Sequence, residues 1–187
     1  MTDTDTGGWD AERRMFEVRQ TARREAFRLA RDAGAQIVTR PVFGSEREPA
    51  VRDVEPLAGA RAARDLEAAA RGAARDYIRQ AREAGHGWDQ IGRALGLQPG
   101  GDQDGATPAD AAYTYAAGRP DTEAPWRPRS FGWTCRSCDQ NISDRGLIQG
   151  PADDELGHAE NCIRLAAAVA EWDAEAARWD AEWEAGQ

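Results

Sequence analysis

All three cysteines of this chain lie in one short stretch, together with one of its two histidines. Cys135 and Cys138 form a C-x2-C pair, and His158 and Cys162 form an H-x3-C pair that nineteen residues separate from the first. This is the ligand set and spacing of a tetrahedral zinc site with three thiolates and one imidazole. A disulfide framework would instead use an even number of cysteines spread along the chain. The stretch therefore predicts a metal centre with Zn²⁺ as its cofactor.

The ligand set also indicates what the metal does. Four strong ligands close the coordination shell, whereas a catalytic zinc usually keeps three protein ligands and an open position. Glu160 lies between His158 and Cys162, but on a helix its side chain would point away from them. We therefore expect a structural zinc that a small domain needs in order to fold. The alternative is that buried cysteines and a capping histidine lie near one another by chance.

The residues around the ligands predict a treble-clef-like finger. The C-x2-C pair fits a tight knuckle, and "ISDRGLIQG" offers a short hairpin with its turn at residues 144–146. Residues spaced i, i+4 on a helix lie on one side of it, so we expect a helix over about residues 158–183 to carry the second ligand pair. Residues 131–187 are thus expected to form a small treble-clef-like zinc module with a long C-terminal helix.

The expected C-terminal helix carries a tryptophan stripe. From His158 and Cys162 onward, positions spaced alternately four and three residues apart lie on one face of such a helix, and Trp172, Trp179 and Trp183 are among them. The opposite face is acidic. Such a stripe is unfavourable to leave in water. It is expected to pack on the chain's own N-terminal helix or to mediate self-association or binding of a protein partner.

The rest of the chain is expected to be mainly α-helical. Apolar residues recur at helical spacing over residues 9–33 and 57–83, and Gly34 stands where a left-handed cap would end the first helix. After it, "IVT" favours a short strand or an extended strap, and the following prolines favour a linker. Thr107 is expected to cap a further helix, because a proline and an aspartate suit its first turn.

The stretch "ARDYIRQAREAGHGWDQIGRALGL" resembles the first two helices of a helix-turn-helix. Trp88, Ile91 and Leu95 would pack the second helix, and Gly96 would supply the left-handed turn. A DNA-reading motif continues with a third helix after one or two residues. Here an insertion at residues 98–106 intervenes, so DNA reading and use of the segment for packing alone are both open.

Three arginines are candidate phosphate contacts, which makes double-stranded DNA a candidate partner. Arg93 lies in the helix-turn-helix-like segment, while Arg127 and Arg129 interleave with aromatic residues in "PWRPRSFGW". Arginines among aromatic side chains are typical of a phosphate-and-stacking surface. They are equally typical of a segment that docks on a neighbouring domain.

Composition and charge divide the chain and limit its partners. We expect a disordered tail at 1–8, a helical domain at 9–118 with the helix-turn-helix-like segment at 57–117, a linker at 119–130 and the zinc module at 131–187. The net charge is −9, and the excess of acids lies in the C-terminal half, which disfavours polyphosphates. The sequence contains no membrane span or apolar signal-peptide core. We expect a cytoplasmic protein without a membrane partner, because that reducing compartment suits cysteine ligands.

Two stretches resemble a group of uncharacterised actinobacterial helix-turn-helix-like proteins. They are "WDQIGRALGL" and the more specific segment 131–183, with "FGWTC", "ISDRG", "GHAE" and "WDAEW". The resemblance implies a bacterial host, a helix-turn-helix-like body and a C-terminal zinc-finger-like tail with CxxC and HxxxC pairs. It implies no known activity.

The sequence contains no phosphate-cradling glycine loop and no nucleophile elbow, so we expect no enzymatic activity. The leading hypothesis is a DNA-associated accessory or regulatory protein with a structural zinc site. The alternative is a zinc-stabilised protein–protein interaction module that does not bind DNA.

Overall fold

The chain forms two compact units, which divide between Ala73 and Ala74. The computed structural model describes residues 6–41, 50–98, 107–118 and 129–186. These parts are mainly helical, as the sequence predicts, with two small antiparallel sheets. None of the helices in these ranges is long and apolar enough to cross a membrane.

Two helices and a pair of strands form the first unit. In chain order they are α1 (Thr6–Asp32), β1 (Ile37–Pro41), β2 (Ala50–Val54) and the first part of α2 (Pro56–Glu83). The strands pair antiparallel. Ala26, Ala30, Val54 and Ala62 form the core, so the unit buries little apolar area.

The predicted helices of this unit are confirmed, and Gly34 has the expected left-handed conformation with φ 85°. Helix α1 begins at Thr6, within the tail expected at residues 1–8, of which residues 1–5 lie outside the described ranges. Strand β1 confirms the strand alternative for "IVT". The sequence does not predict β2, because its charged residues lie among prolines in a segment typical of a linker.

The second unit joins the end of α2 to a three-stranded sheet and four further helices in the described ranges. Its elements are α3 (Trp88–Ala94), α4 (Pro108–Ala117), β3 (Phe131–Thr134), β4 (Asn141–Asp144), α5 (Pro151–Asp154), β5 (Glu155–Leu156) and α6 (Ile163–Ala185). The strand order is β3-β4-β5, and both neighbouring pairs are antiparallel.

One core holds the helices and the sheet of this unit together. Trp88 of α3 contacts the rings of Tyr113 and Phe131 edge-on, with centroid separations of 5.3 and 5.6 Å. The sequence places a domain boundary at residues 119–130, but elements on both sides of that segment share this core. The physical reason is that the buried residues of α4 are mostly alanines, so Phe131 and Trp133 supply most of the large side chains that cover α3 and α4. Residues 119–128 lie outside the described ranges.

Helix α4 begins as the sequence predicts. The Asp110 backbone N–H donates to Thr107 Oγ1 at 3.3 Å, and the Thr107 backbone N–H donates to Asp110 Oδ2 at 2.8 Å. Gly96 has the expected left-handed conformation after α3, with φ 63°. Residues 99–106 of the insertion lie outside the described ranges, so the helix-turn-helix assignment stays a prediction.

The close approach of α3 to α4 depends on Gly92. A Cβ added to Gly92 would lie 2.2 Å from the Pro108 carbonyl oxygen, a backbone atom that cannot rotate away. We therefore expect Gly92→Ala to lower the free energy of unfolding of the second unit by about 3 kcal/mol. Urea denaturation, monitored by tryptophan fluorescence, measures this change.

Gly132→Ala is the matched control, because an added Cβ there meets no atom of the described residues within 4 Å. It should change the free energy of unfolding by less than about 1 kcal/mol. Equal stabilities of the two variants would show that α3 and α4 separate easily.

Candidate metal centre

Two loops of the second unit supply the four candidate ligands. Cys135 and Cys138 lie between β3 and β4, where the chain turns tightly: the Asp139 backbone N–H donates to the Cys135 carbonyl at 2.7 Å. Asp139 has a left-handed backbone, with φ 55°. His158 and Cys162 lie between β5 and α6. The chain thus makes a tight turn at the C-x2-C pair, and the zinc knuckle stays a prediction.

The four ligand atoms are close together, and two of the pairs lie at the separation that a tetrahedral ion requires. All four are within 4.8 Å of one another. Cys135 Sγ is 3.7 Å from Cys162 Sγ, and Cys138 Sγ is 3.6 Å from His158 Nδ1. Bonds of about 2.3 Å to sulfur and about 2.0 Å to nitrogen place tetrahedral ligand atoms roughly 3.5–3.8 Å apart. These four residues could therefore hold one metal ion.

The candidate ligands are largely buried, and their surroundings shift the pKa values of two of the thiols in opposite directions. Cys135 and Cys162 are buried, and the His158 side chain is 1% exposed. A hydrogen bond from the Ala159 backbone N–H, aided by His158, lowers the pKa of Cys138 to about 6. Burial raises the pKa of Cys162. Cys138 thus gives up its proton more readily than Cys162, as a metal ligand must.

The second ligand pair does not lie on a helix, which corrects the helix expected from residue 158. Helix α6 begins at Ile163, and Cys162 is its N-cap. The backbone of Gly157, with φ 106°, passes so close to β4 that an added Cβ would lie 2.7 Å from the Asn141 carbonyl oxygen. The i, i+4 spacing is met by a turn that this glycine allows.

The strands also differ from the hairpin expected within "ISDRGLIQG". Strand β4 pairs with β3 across the knuckle, with Trp133 opposite Ile142. On its other side it pairs with β5, with Asp144 opposite Glu155. A single hairpin inside that segment is therefore wrong, and the treble-clef assignment stays a prediction.

A carboxylate orients the histidine. His158 Nε2 lies 3.2 Å from Glu155 Oε2, while Nδ1 faces the sulfur atoms. Metal-binding histidines commonly donate their remaining ring N–H to a carboxylate, which fixes the ring orientation and the tautomer. Glu155 thus leaves Nδ1 of His158 free to bind a metal.

A buried arginine holds Glu155 in turn. Arg82 of α2 donates to Glu155 Oε1 and also to Asp144 Oδ2, from Nε at 3.1 Å and from Nη2 at 2.9 Å. Asp144 and Glu155 lie opposite each other in the sheet, where two like charges repel. The guanidinium of Arg82 offsets this repulsion because it binds both carboxylates.

Asp144 is 0% exposed and accepts hydrogen bonds at both oxygens. Its Oδ2 accepts from the indole Nε1 of Trp88 at 3.0 Å and of Trp133 at 3.2 Å, and its Oδ1 accepts from the Gly146 backbone N–H at 3.0 Å. The Arg82 guanidinium lies 5.0 and 5.2 Å from the same two ring centroids. Burial raises the pKa of Asp144, and the charge of Arg82 opposes this rise.

We call these four buried side chains and the partly buried Glu155 the Arg82 cluster: Arg82, Trp88, Trp133, Asp144 and Glu155. All its members lie in the second unit. It joins α2, α3 and all three strands of the sheet, and it contacts a candidate metal ligand through Glu155.

A second arginine lies beside the sulfur atoms. The Arg164 guanidinium lies 3.9 Å from the ring centroid of Trp133 and close enough to Cys135 for their charges to interact. Its Nη1 is buried without a hydrogen-bond partner among the described residues. Burial lowers the pKa of Arg164. Because three thiolates outweigh a divalent ion by one negative charge, this guanidinium supplies the compensating charge at the site.

Sequence reasoning missed Arg82, Asp144 and Glu155. For Asp144 a signal exists: it lies two residues after Ile142, so strand alternation puts both side chains on the buried face. The turn-like composition of "SDRG" hides this signal. Arg82 has no such signal, because it is one of many arginines on α2.

The candidate phosphate contacts have separate environments. Arg93 is 72% exposed at its side chain and pairs with an aspartate one turn earlier. Arg129 Nη1 donates to the Gly118 carbonyl at 2.7 Å, and its guanidinium lies 5.8 Å from the Tyr113 ring centroid. Arg127 lies outside the described ranges. Arg129 thus connects the residues that lead into β3 to the end of α4, and both the phosphate-contact and the docking alternatives stay predictions.

The exposure of the tryptophan stripe increases along α6, and its first member, Trp172, is 42% exposed. Trp172 packs against Gly150, where an added Cβ would lie 3.0 Å from the indole Nε1. Trp179 and Trp183 are 69% and 72% exposed. The last three turns of α6 thus present two tryptophans to solvent.

Comparison of this chain with family models, with curated proteins and with solved structures finds no match. Its function therefore has to be inferred from the geometry of the second unit.

Proposed function

We propose that this chain is a non-enzymatic protein–protein interaction module, stabilised by a structural zinc ion, whose C-terminal helix binds a basic protein segment. The observation that carries the proposal is the exposure of Trp179 and Trp183 at the acidic end of α6. The cytoplasmic location and the actinobacterial resemblance remain predictions.

The donor set supports zinc in a structural role. Three thiolates and an imidazole within 4.8 Å of one another suit Zn²⁺, and four such ligands leave no open position for a substrate. The nearby carboxylate of Glu155 is engaged by His158 and Arg82, so it is not free to act as a base. Holding β3, β4 and the start of α6 together is the role that this arrangement supports best.

The end of α6 has the composition of a binding surface. Trp179 and Trp183 are four residues apart and lie on one side of the helix. The charged residues of α6 after Trp172 are five acids and one arginine: Asp173, Glu175, Arg178, Asp180, Glu182 and Glu184. Exposed aromatic anchors within a field of one charge favour a partner with apolar side chains and the opposite charge. A basic amphipathic helix has this chemistry.

The proposal predicts that the full chain with Zn²⁺ binds a synthetic amphipathic helix of leucine and lysine. Trp179→Ala combined with Trp183→Ala should weaken that binding at least about tenfold, because truncating aromatic anchors typically costs about 2 kcal/mol or more. Fluorescence anisotropy of the labelled peptide measures the dissociation constant. Trp9→Ala is the matched control, since Trp9 is 69% exposed on a different helix.

Equal binding by the double variant and the control would show that the peptide responds to net charge alone and would refute the proposal. A peptide of leucine and glutamate should not bind. Binding of the basic peptide should weaken but persist at ~150 mM salt, because the aromatic contacts are insensitive to screening.

DNA association, the leading hypothesis from the sequence, stays a prediction. Of its candidate arginines, Arg129 is engaged with Gly118 and Tyr113. The exposed side chains of α4 include Asp110, which repels phosphate. Anisotropy of labelled double-stranded DNA separates the two functions: binding that survives ~150 mM salt would favour DNA association, and no binding at low salt would exclude it.

A further inference from the structure

We infer that the Arg82 cluster couples metal binding to the packing of helix α3, so that the two strengthen each other. The coupling follows a continuous path of side-chain contacts: His158, Glu155, Arg82, Asp144 and Trp88. This inference goes beyond the proposed interaction function, because it concerns what the metal does to a part of the chain that supplies no ligand.

The metal end of the path is His158. A metal on Nδ1 fixes the imidazole ring and directs Nε2 at Glu155, 3.2 Å away. Without a metal, the neighbouring Cys138 sulfur, 3.6 Å away, is a weak partner for Nδ1. Occupancy of the site therefore determines how firmly Glu155 is held.

The middle of the path is Arg82, which cannot move without breaking several contacts. It donates to Glu155 and Asp144, and its Nη1 donates to the His86 carbonyl at 2.9 Å. His86 lies in the turn between α2 and α3. The side chain of Arg82 is 4% exposed, so water cannot replace a lost partner. A displaced Glu155 would leave part of this buried guanidinium without a partner.

The helix end of the path is Trp88, the first residue of α3. Its indole Nε1 donates to Asp144, and its ring packs on Tyr113 and Phe131. Arg82 thus holds α3 in two ways, through the preceding turn and through Asp144. Loosening Arg82 therefore loosens the start of α3.

Coupling of this kind is reciprocal: if the metal stabilises α3 packing, then weakening α3 at the cluster must weaken metal binding by the same factor. Trp88→Phe keeps an aromatic ring but removes the donor to Asp144. We expect it to raise the Zn²⁺ dissociation constant about tenfold, within the usual range of coupling between sites. Competition of the full chain with a chromophoric chelator measures the constant.

The matched control is Asp89→Ala, which removes an α3 side chain that pairs with Arg93 at the surface and belongs neither to the cluster nor to the core. It should leave the Zn²⁺ dissociation constant within twofold of the unsubstituted chain. The inference is overturned if Trp88→Phe also leaves the constant within twofold, or if both variants raise it equally.

Amide hydrogen exchange on α3 provides a second readout that does not depend on the folding of Trp88→Phe. In the unsubstituted chain, removing Zn²⁺ should accelerate exchange at Ile91 and Leu95, which donate within and just after α3. In Glu155→Gln, the effect of added Zn²⁺ on these exchange rates should be at least about fivefold smaller than in the unsubstituted chain, because the neutral amide weakens the link between His158 and Arg82. The coupling would be contradicted if Zn²⁺ did not change the exchange rates of α3 in the unsubstituted chain. It would also be contradicted if Zn²⁺ changed these rates equally in the unsubstituted chain and in Glu155→Gln.

Peptide binding at α6 plays no part in either measurement, so the coupling and the proposed function can be refuted independently.

Discussion

Cys138→Ser is expected to abolish tight metal binding and to unfold the sheet of the second unit. Structural zinc sites bind with about 10–16 kcal/mol, so loss of one of four ligands removes about 3 kcal/mol or more, which is at least a hundredfold in affinity. Folding depends on this binding energy because β3, β4 and β5 have two to four residues each. Atomic emission measures the zinc content, and near-ultraviolet circular dichroism measures the packing of Trp133.

Ser137→Ala is the control, because residue 137 lies between the cysteines and supplies no ligand atom among the four. It should retain one zinc ion per chain and the tryptophan signal. A folded Cys138→Ser protein with full zinc content would contradict the assignment of Cys138 as a ligand.

Asp144→Ala is expected to lower the free energy of unfolding of the second unit by about 3–5 kcal/mol. Removal of one partner from a buried ion pair leaves the other charge uncompensated, and here it also leaves the indole N–H groups of Trp88 and Trp133 without their acceptor. Urea denaturation of the zinc-loaded chain measures the loss.

Asp89→Ala provides the comparison, because Asp89 pairs with Arg93 at the surface, where ion pairs contribute less than about 1 kcal/mol. Replacing Arg82 by methionine together with Asp144 by leucine should recover part of the stability lost in Asp144→Ala, since no charge then remains buried in that pair. Equal losses for Asp144→Ala and Asp89→Ala would mean that the buried pair contributes no more than a surface pair.

The ligands could be predicted from the sequence because their chemistry is local. Cysteine and histidine at C-x2-C and H-x3-C spacing are typical of a zinc site, and the structure brings all four side chains together. The helices could be predicted for the same reason, since a 3.6-residue period and the cap at Thr107 depend only on residues that are near one another in the sequence.

The backbone between the ligands could not be predicted in the same way. An H-x3-C pair fits a helix as well as a turn, and Gly157 decides between them only because β4 passes nearby. Strand β3 follows a proline- and arginine-rich segment and has four residues, so its alternation is too short to recognise.

The Arg82 cluster could not be predicted because its contacts are long-range. Arg82 and Asp144 are 62 residues apart, and Arg82 and Glu155 are 73 apart. Charged residues are usually exposed, so composition argues against their burial. Only the fold shows that three charges and two indole groups compensate one another beside the metal ligands.

The central claim is that a metal ion holds the second unit together, and a chelator titration of the purified full chain tests it most directly. Released Zn²⁺ and the near-ultraviolet dichroism of the tryptophans are followed in the same sample. We predict that one Zn²⁺ per chain is released and that the dichroism is lost in the same transition, because metal binding and folding are linked. A chain that gives up its ion and keeps its full tryptophan signal, or that carries no ion while folded, would contradict the claim.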